Sequence, residues 1–147
     1  MGLVETEGPI HKEDIYDFMK VEMNRKATKS FKTEIDGYLL NAIRSNLIER
    51  DYEFYMPNNF DFDGMKVRRR ESPKIDRIHP KEIEKSIIYT LKLQYSSSKD
   101  DLIKSASTYL GFKSLRSNVK QVLNSFVQEM VSEKVLNDNN GTIELNE

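Results

Sequence analysis

An apolar pattern that occurs twice constrains this chain more than any other feature. Phe31, Ile35, Leu39, Ile43, Leu47 and Tyr52 recur, shifted by a constant 84 positions, as Leu115, Val119, Leu123, Val127, Val131 and Leu136. The first five residues of each set stand four apart, which lays an apolar stripe along one helix, and the sixth begins a strand-like segment. Each copy therefore predicts a long helix running into a hairpin. The apolar positions repeat while the polar ones differ, as two modules that share only their packing require.

The 147 residues then divide into a module over 1–73 and a second over 74–147, each with a marginal core of its own. No apolar run approaches the roughly 20 residues of a membrane-spanning helix, and no signal peptide is read at the N-terminus. The chain has no cysteine, which excludes disulfides and Cys-ligated zinc and fits a reducing cytoplasm. Lys and Arg number 23 against 24 Asp and Glu. Overall charge therefore gives no argument for nucleic acid, and any such argument must be local.

In the second module Pro80 stands at a helix start, and Ile83, Ile87, Leu91 and Tyr95 form the stripe of a first helix. Ser96, Ser97 and Ser98 break it. Ser98 and Asp101 make a capping box for a second helix whose buried face is Leu102, Ile103, Ala106, Tyr109 and Leu110, ended by Gly111. A third helix carries the repeated stripe. Val135 and Leu136, then Asn140-Gly141, then Thr142 to Leu145 read as a hairpin. Three helices and a hairpin, with a short connection between the second and third helices, is the winged-helix order. The first module shows a second helix on Ile15, Phe18, Met19 and Met23, a third from Phe31, and only the last turn of a first helix. Its hairpin reads as larger: Tyr52, Phe54 and Met56 alternate, Pro57-Asn58-Asn59 and Asp63-Gly64 signal turns, and Met65 to Arg70 is the expected returning strand. The expected fold class is mainly α with small β-hairpins, α+β, as tandem winged-helix-like modules.

Several segments in order resemble a known family: Val4 to His11, Val67-Arg68-Arg69-Arg70, Ile78 to Ile83, and Asp101-Leu102-Ile103 through Leu110-Gly111-Phe112. The family is an uncharacterised domain at the C-terminal end of bacterial superfamily I DNA/RNA helicase-like proteins. The resemblance implies that the chain is an accessory piece from the C-terminal end of a longer helicase-like ATPase. Its partners would be the ATPase and nuclease-like domains upstream. It supplies no catalytic residues to carry over.

No nucleotide-binding loop is present, so this piece is not the motor, and the residues suggest no catalytic, cofactor or metal site. His11 and His79 stand in look-alike contexts and read as helix caps. Glu5, Glu7, Glu82 and Glu84 read as surface acids favoured near helix starts. Phe60 and Phe62, placed at the tip of the larger hairpin, are candidates for a base contact or for packing back onto the body.

Two features favour DNA or RNA as a partner. From Leu102 to Gln128 there is no acidic residue, while Lys104, Lys113, Arg116 and Lys120 are present and Ser117, Asn118, Gln121 and Asn124 fill the remaining polar positions; Arg116, Ser117, Lys120 and Asn124 project away from the Val119, Val122, Leu123 and Phe126 stripe. The corresponding helix of the first module carries Glu34 and Asp36, which makes the second module the better candidate reader. The second feature is Lys66, Arg68, Arg69 and Arg70, followed by Lys74 and Arg77, able to grip phosphates or to satisfy carboxylates such as Glu49, Glu53 or Asp76. The expected function is a non-catalytic accessory module that contacts nucleic acid. The alternatives are a protein-protein docking module or a free-standing winged-helix transcription regulator.

Overall fold

The computed structural model describes residues 2–147. The chain divides into two compact units, Met1–Asp63 and Gly64–Glu147. Unit 1 runs α1 (Gly2–Glu7), β1 (Ile10–His11), α2 (Lys12–Glu22), α3 (Lys29–Arg44), β2 (Ile48–Asp51) and β3 (Phe54–Pro57). Unit 2 opens with a 3-10 turn at Ile75–Arg77 and continues α4 (Pro80–Gln94), β4 (Ser96–Ser98), α5 (Lys99–Leu110), α6 (Ser117–Ser132), β5 (Leu136–Asn139) and β6 (Thr142–Leu145). The chain is α+β, and each unit holds one antiparallel three-stranded sheet, in the orders β1-β3-β2 and β4-β6-β5.

Local chemistry sets the helix ends. His11 and His79 each accept a hydrogen bond at Nδ1 from the backbone N–H two residues on, 3.0 Å from Glu13 and 3.0 Å from Lys81, and so cap α2 and α4. Both expected histidine caps are present. Thr28 caps α3 through the Phe31 N–H at 3.2 Å, and Ser98 caps α5 through the Asp101 N–H at 3.2 Å. Gly111 ends α5 in the left-handed region, φ 106°. A Cβ there would meet the Arg70 carbonyl oxygen at 2.0 Å, so glycine is needed both for the cap and for the chain that passes over it.

Each unit closes its own core. In unit 1, Val4, Ile15, Phe31, Ile35, Leu39 and Ile48 are buried together; in unit 2, Ile83, Ile87, Leu102, Leu123, Val127 and Leu136 are prominent. Burying a side chain of this size fully stabilises by about 1.5–3 kcal/mol, so these interiors fix which helix faces are left for solvent.

The duplication is real in the backbone, but its offset differs from the expected one. α3 begins at Lys29 and α6 at Ser117, β2 at Ile48 and β5 at Leu136, β3 at Phe54 and β6 at Thr142, each 88 positions apart. Under this offset buried residues face buried residues: Phe31 and Val119, Ile35 and Leu123, Leu39 and Val127, Ala42 and Met130, Ile48 and Leu136. Both third helices end alike, with Asn46 and Lys134 at φ 59° and 63°. Leu47 N–H donates to Ala42 at 3.0 Å, as Val135 N–H does to Met130 at 2.9 Å. A stripe of period four matches itself when slid by one helical turn, so the sequence pattern alone settled on 84. That slip put Leu47 and Tyr52 into the core, whereas they are 53% and 86% exposed.

Further expectations are corrected. The hairpin of unit 1 is short: Asp51 pairs with Phe54 around a tight turn at Tyr52-Glu53, with Tyr52 at φ 53°. Met65 to Arg70 is not its returning strand. That segment belongs to unit 2, where Val67 packs on the core and Arg70 N–H donates to the Leu110 carbonyl at 3.1 Å, so the units divide after Asp63 rather than after residue 73. Finally, Ser96–Ser98 is a strand paired with β6, formed by backbone hydrogen bonds with no apolar alternation to announce it. Tyr95, expected in the α4 stripe, lies beyond the helix and is 84% exposed.

Candidate nucleic-acid interface

The polar face of α6 follows from what its other face buries. Val119, Leu123, Val127 and Met130 point into the core, which leaves Arg116, Ser117, Asn118, Lys120 and Gln121 exposed on the first turns. Lys113 is exposed on the connection from α5, and Asn124 is half-buried. Among the described residues, Lys113, Arg116 and Lys120 have no ion-pair partner. Three cations and several hydrogen-bonding side chains are thus exposed at the start of α6 and on the connection before it, and Glu71 and Asp76 line the depression beside Lys113, Arg116 and Asn118. Such a surface can bind phosphate oxygens and base edges.

The second basic cluster divides in two. Glu82, in the first turn of α4, is fully buried, and Arg70 clasps it with Nη1 2.6 Å from Oε2 and Nη2 3.1 Å from Oε1. Arg68 adds its backbone N–H at 3.1 Å and its guanidinium at 3.5 Å. Glu82 is therefore no surface acid, and it is the carboxylate these arginines satisfy, in place of Glu49, Glu53 or Asp76. The macrodipole of α4 adds to its stabilisation, and the pair pins the segment after Gly64 against α4. Lys66 and Arg69 point outward and are exposed. Arg69 borders a shallow groove with Leu93, Gln94, Lys104 and Tyr109. Of the six basic residues named from the sequence, Lys66, Arg69 and Lys74 are exposed, Arg77 is half-buried, and Arg68 and Arg70 engage Glu82.

Phe60 and Phe62 follow β3 rather than capping a hairpin; both are half-buried and pack edge to face on each other at 5.1 Å. The hairpin tip of unit 1 carries Tyr52 instead. Sequence reasoning missed this residue because the 84-position match assigned it to the core. The side chains of Glu5 and Glu7 lie outside the described residues, and Glu84 is half-buried, its carboxylate 3.9 Å from Lys81 Nζ.

In unit 1 the acids of α3 are engaged within the unit. Glu34 accepts from the Arg25 guanidinium and, at 2.8 Å, from the Tyr38 hydroxyl; these bonds hold its carboxyl below the usual range and push the Tyr38 phenol up. Asp36 accepts from the Tyr16 hydroxyl and stands 3.6 Å from Lys12 Nζ. Burial, then the bond to Asp36, raises the Tyr16 phenol well above its ordinary value. Among the described residues no group of three or more His, Asp or Glu is placed to hold a metal.

No protein-family model, curated protein or solved structure matches the chain.

Proposed function

We propose that each unit is a winged-helix-like module and that the chain is a non-catalytic accessory piece that binds nucleic acid through the outer face of α6. The order helix, strand, helix, helix, hairpin, with the first strand added to the hairpin, supports the modular reading in both units. The observation that carries the binding reading is the exposed run of basic and polar side chains from Lys113 to Gln121, which itself contains no acid, with Glu71 and Asp76 lining the depression beside Lys113, Arg116 and Asn118.

Duplex DNA suits this face better than duplex RNA. The B-form major groove, about 12 Å wide, admits an α-helix, whereas the A-form major groove is too narrow for side chains to read. Arg116, Asn118 and Gln121 would meet base edges, and Lys113 and Lys120 would meet phosphates. The motif resemblance adds that the module serves a helicase-like ATPase in one polypeptide, positioning DNA for the motor.

A second reading, docking onto a protein domain, is favoured by apolar side chains left in solvent. Phe18 and Val21 stand one turn apart on α2, and Tyr89 and Leu93 one turn apart on α4. Titration of a labelled duplex between roughly 50 and 200 mM salt separates the two. DNA binding predicts an affinity that falls steeply over that range. No binding at the lower salt favours docking.

A further inference from the structure

The true offset changes what the first unit presents. With residues 88 apart made equivalent, Arg25 matches Lys113, Lys29 matches Ser117, Ser30 matches Asn118, and Lys32 matches Lys120. The turn before α3 and its first turns thus hold the cations Lys26, Lys29 and Lys32 where unit 2 holds its polar face. The acids of α3 do not cancel them. Glu34 is engaged by Arg25 and Tyr38, and Asp36 by Tyr16 and Lys12, so each carboxylate already has its cation.

Lys26 and Lys29 are exposed, and Lys32 is half-buried with Nζ 5.4 Å from the centre of the Tyr16 ring. Among the described residues none of the three has a carboxylate partner. Ser30 and Thr33 beside them are exposed. The depression that Lys29 and Lys32 border also contains Glu13, Asp36 and Glu53, and Glu53 is held by Arg50 at 3.3 Å. Lys26 and Lys29 are the exposed cations of this surface, whereas Lys32 Nζ lies over the Tyr16 ring, whose hydroxyl donates to Asp36. Lys29 and Lys32, three positions apart, share one helix face.

We propose that unit 1 carries a second DNA-contacting surface, in which Lys26, Lys29 and Lys32 grip the phosphate backbone of duplex DNA at the position equivalent to the α6 face. This rests on the reading of α6 as a DNA-contacting helix and extends it to the other module. Arg25 takes no part, because Glu34 occupies it. Unit 1 supplies phosphate contacts and little base readout: Lys29 stands where unit 2 has Ser117, and Asp36 where unit 2 has Asn124. Its contribution is affinity without sequence preference.

The test is the salt dependence of duplex affinity for the full chain and three variants. One is K26Q/K29Q/K32Q, which keeps part of the aliphatic stems; the second is R116Q/K120Q; the third is a control, K92Q/K134Q, on exposed lysines that belong to neither proposed surface. Removing one lysine–phosphate pairing lowers the slope of log K against log salt by roughly 0.9, so the first variant should be shallower than wild type by roughly 2–3. The control should match wild type, and circular dichroism should show all variants folded. If R116Q/K120Q weakens binding while K26Q/K29Q/K32Q retains the wild-type slope, the unit 1 surface is refuted and the α6 reading stands. If the control lowers the slope as much as the triple variant, diffuse charge explains binding and the unit 1 surface is likewise refuted. If wild type fails to bind at the lowest salt, both fall together.

Discussion

Replacing Arg70 by Met should destabilise the second unit selectively, and the reason lies in Glu82. Its side chain is fully buried, and Arg70 supplies two of the hydrogen bonds that compensate its charge, at 2.6 and 3.1 Å. Removing one member of a buried ion pair leaves the other uncompensated, which costs about 3–5 kcal/mol. Arg70 keeps 21% side-chain exposure and Arg68 still reaches the carboxylate, so about 3 kcal/mol, the lower end of that range, is the reasoned figure. In a domain of this size such a loss lowers Tm by roughly 12–24 °C.

The double variant Arg70→Met/Glu82→Leu removes both charges and should lie within about 1.5 kcal/mol of wild type, since apolar replacement of a whole buried pair is often close to neutral. Urea unfolding followed by circular dichroism gives the total, and hydrogen exchange read separately over residues 2–63 and 64–147 assigns the loss. The reasoning predicts faster exchange in 64–147 alone, and a double variant more stable than Arg70→Met. A single variant within about 0.5 kcal/mol of wild type, or a double variant worse than the single, would refute it.

Other outcomes follow from the same geometry. Gly111→Ala should destabilise unit 2 by about 2–4 kcal/mol, because the left-handed backbone disfavours Ala and the new methyl meets Arg70, and thermal melts measure the loss. Ser98→Ala should cost about 1 kcal/mol, seen as early fraying of the start of α5 in hydrogen exchange. In alkali, Tyr16 keeps its proton in the folded chain after the unfolded chain has lost it. Stability is therefore complete below the ordinary tyrosine pKa of about 10 and falls as pH rises beyond it, at most about 1.4 kcal/mol per pH unit from this group. Tyr16→Phe should flatten that decline in urea titrations at successive pH values.

The sequence showed the helices, both histidine caps, the glycine stop of α5 and the Asn140-Gly141 hairpin, because each has a local physical cause. It misplaced whatever depended on register. A four-residue stripe cannot distinguish one turn from the next, so the pattern pairs Phe31 with Leu115 as readily as with Val119, and the slipped pairing buries Tyr52. β4 was hidden because three serines form a strand only when β6 is there to pair with them. The partner of Arg68 and Arg70 was hidden because Glu82 is distant in sequence and looks like an ordinary acid near a helix start. The polar face of α6 was legible, since its apolar stripe fixed which residues face out. The lysines before and on α3 do not stand out in the sequence, because counting Glu34 and Asp36 as free charges ignores the cations beside them.

The most direct test of the central claim is a ¹H–¹⁵N NMR titration of the full chain with a short mixed-sequence duplex. The account predicts amide shift changes concentrated between Lys113 and Asn124, with a second set between Lys26 and Thr33. Shift changes confined to the Tyr89 and Leu93 side of α4, or none on either helix face, would contradict it.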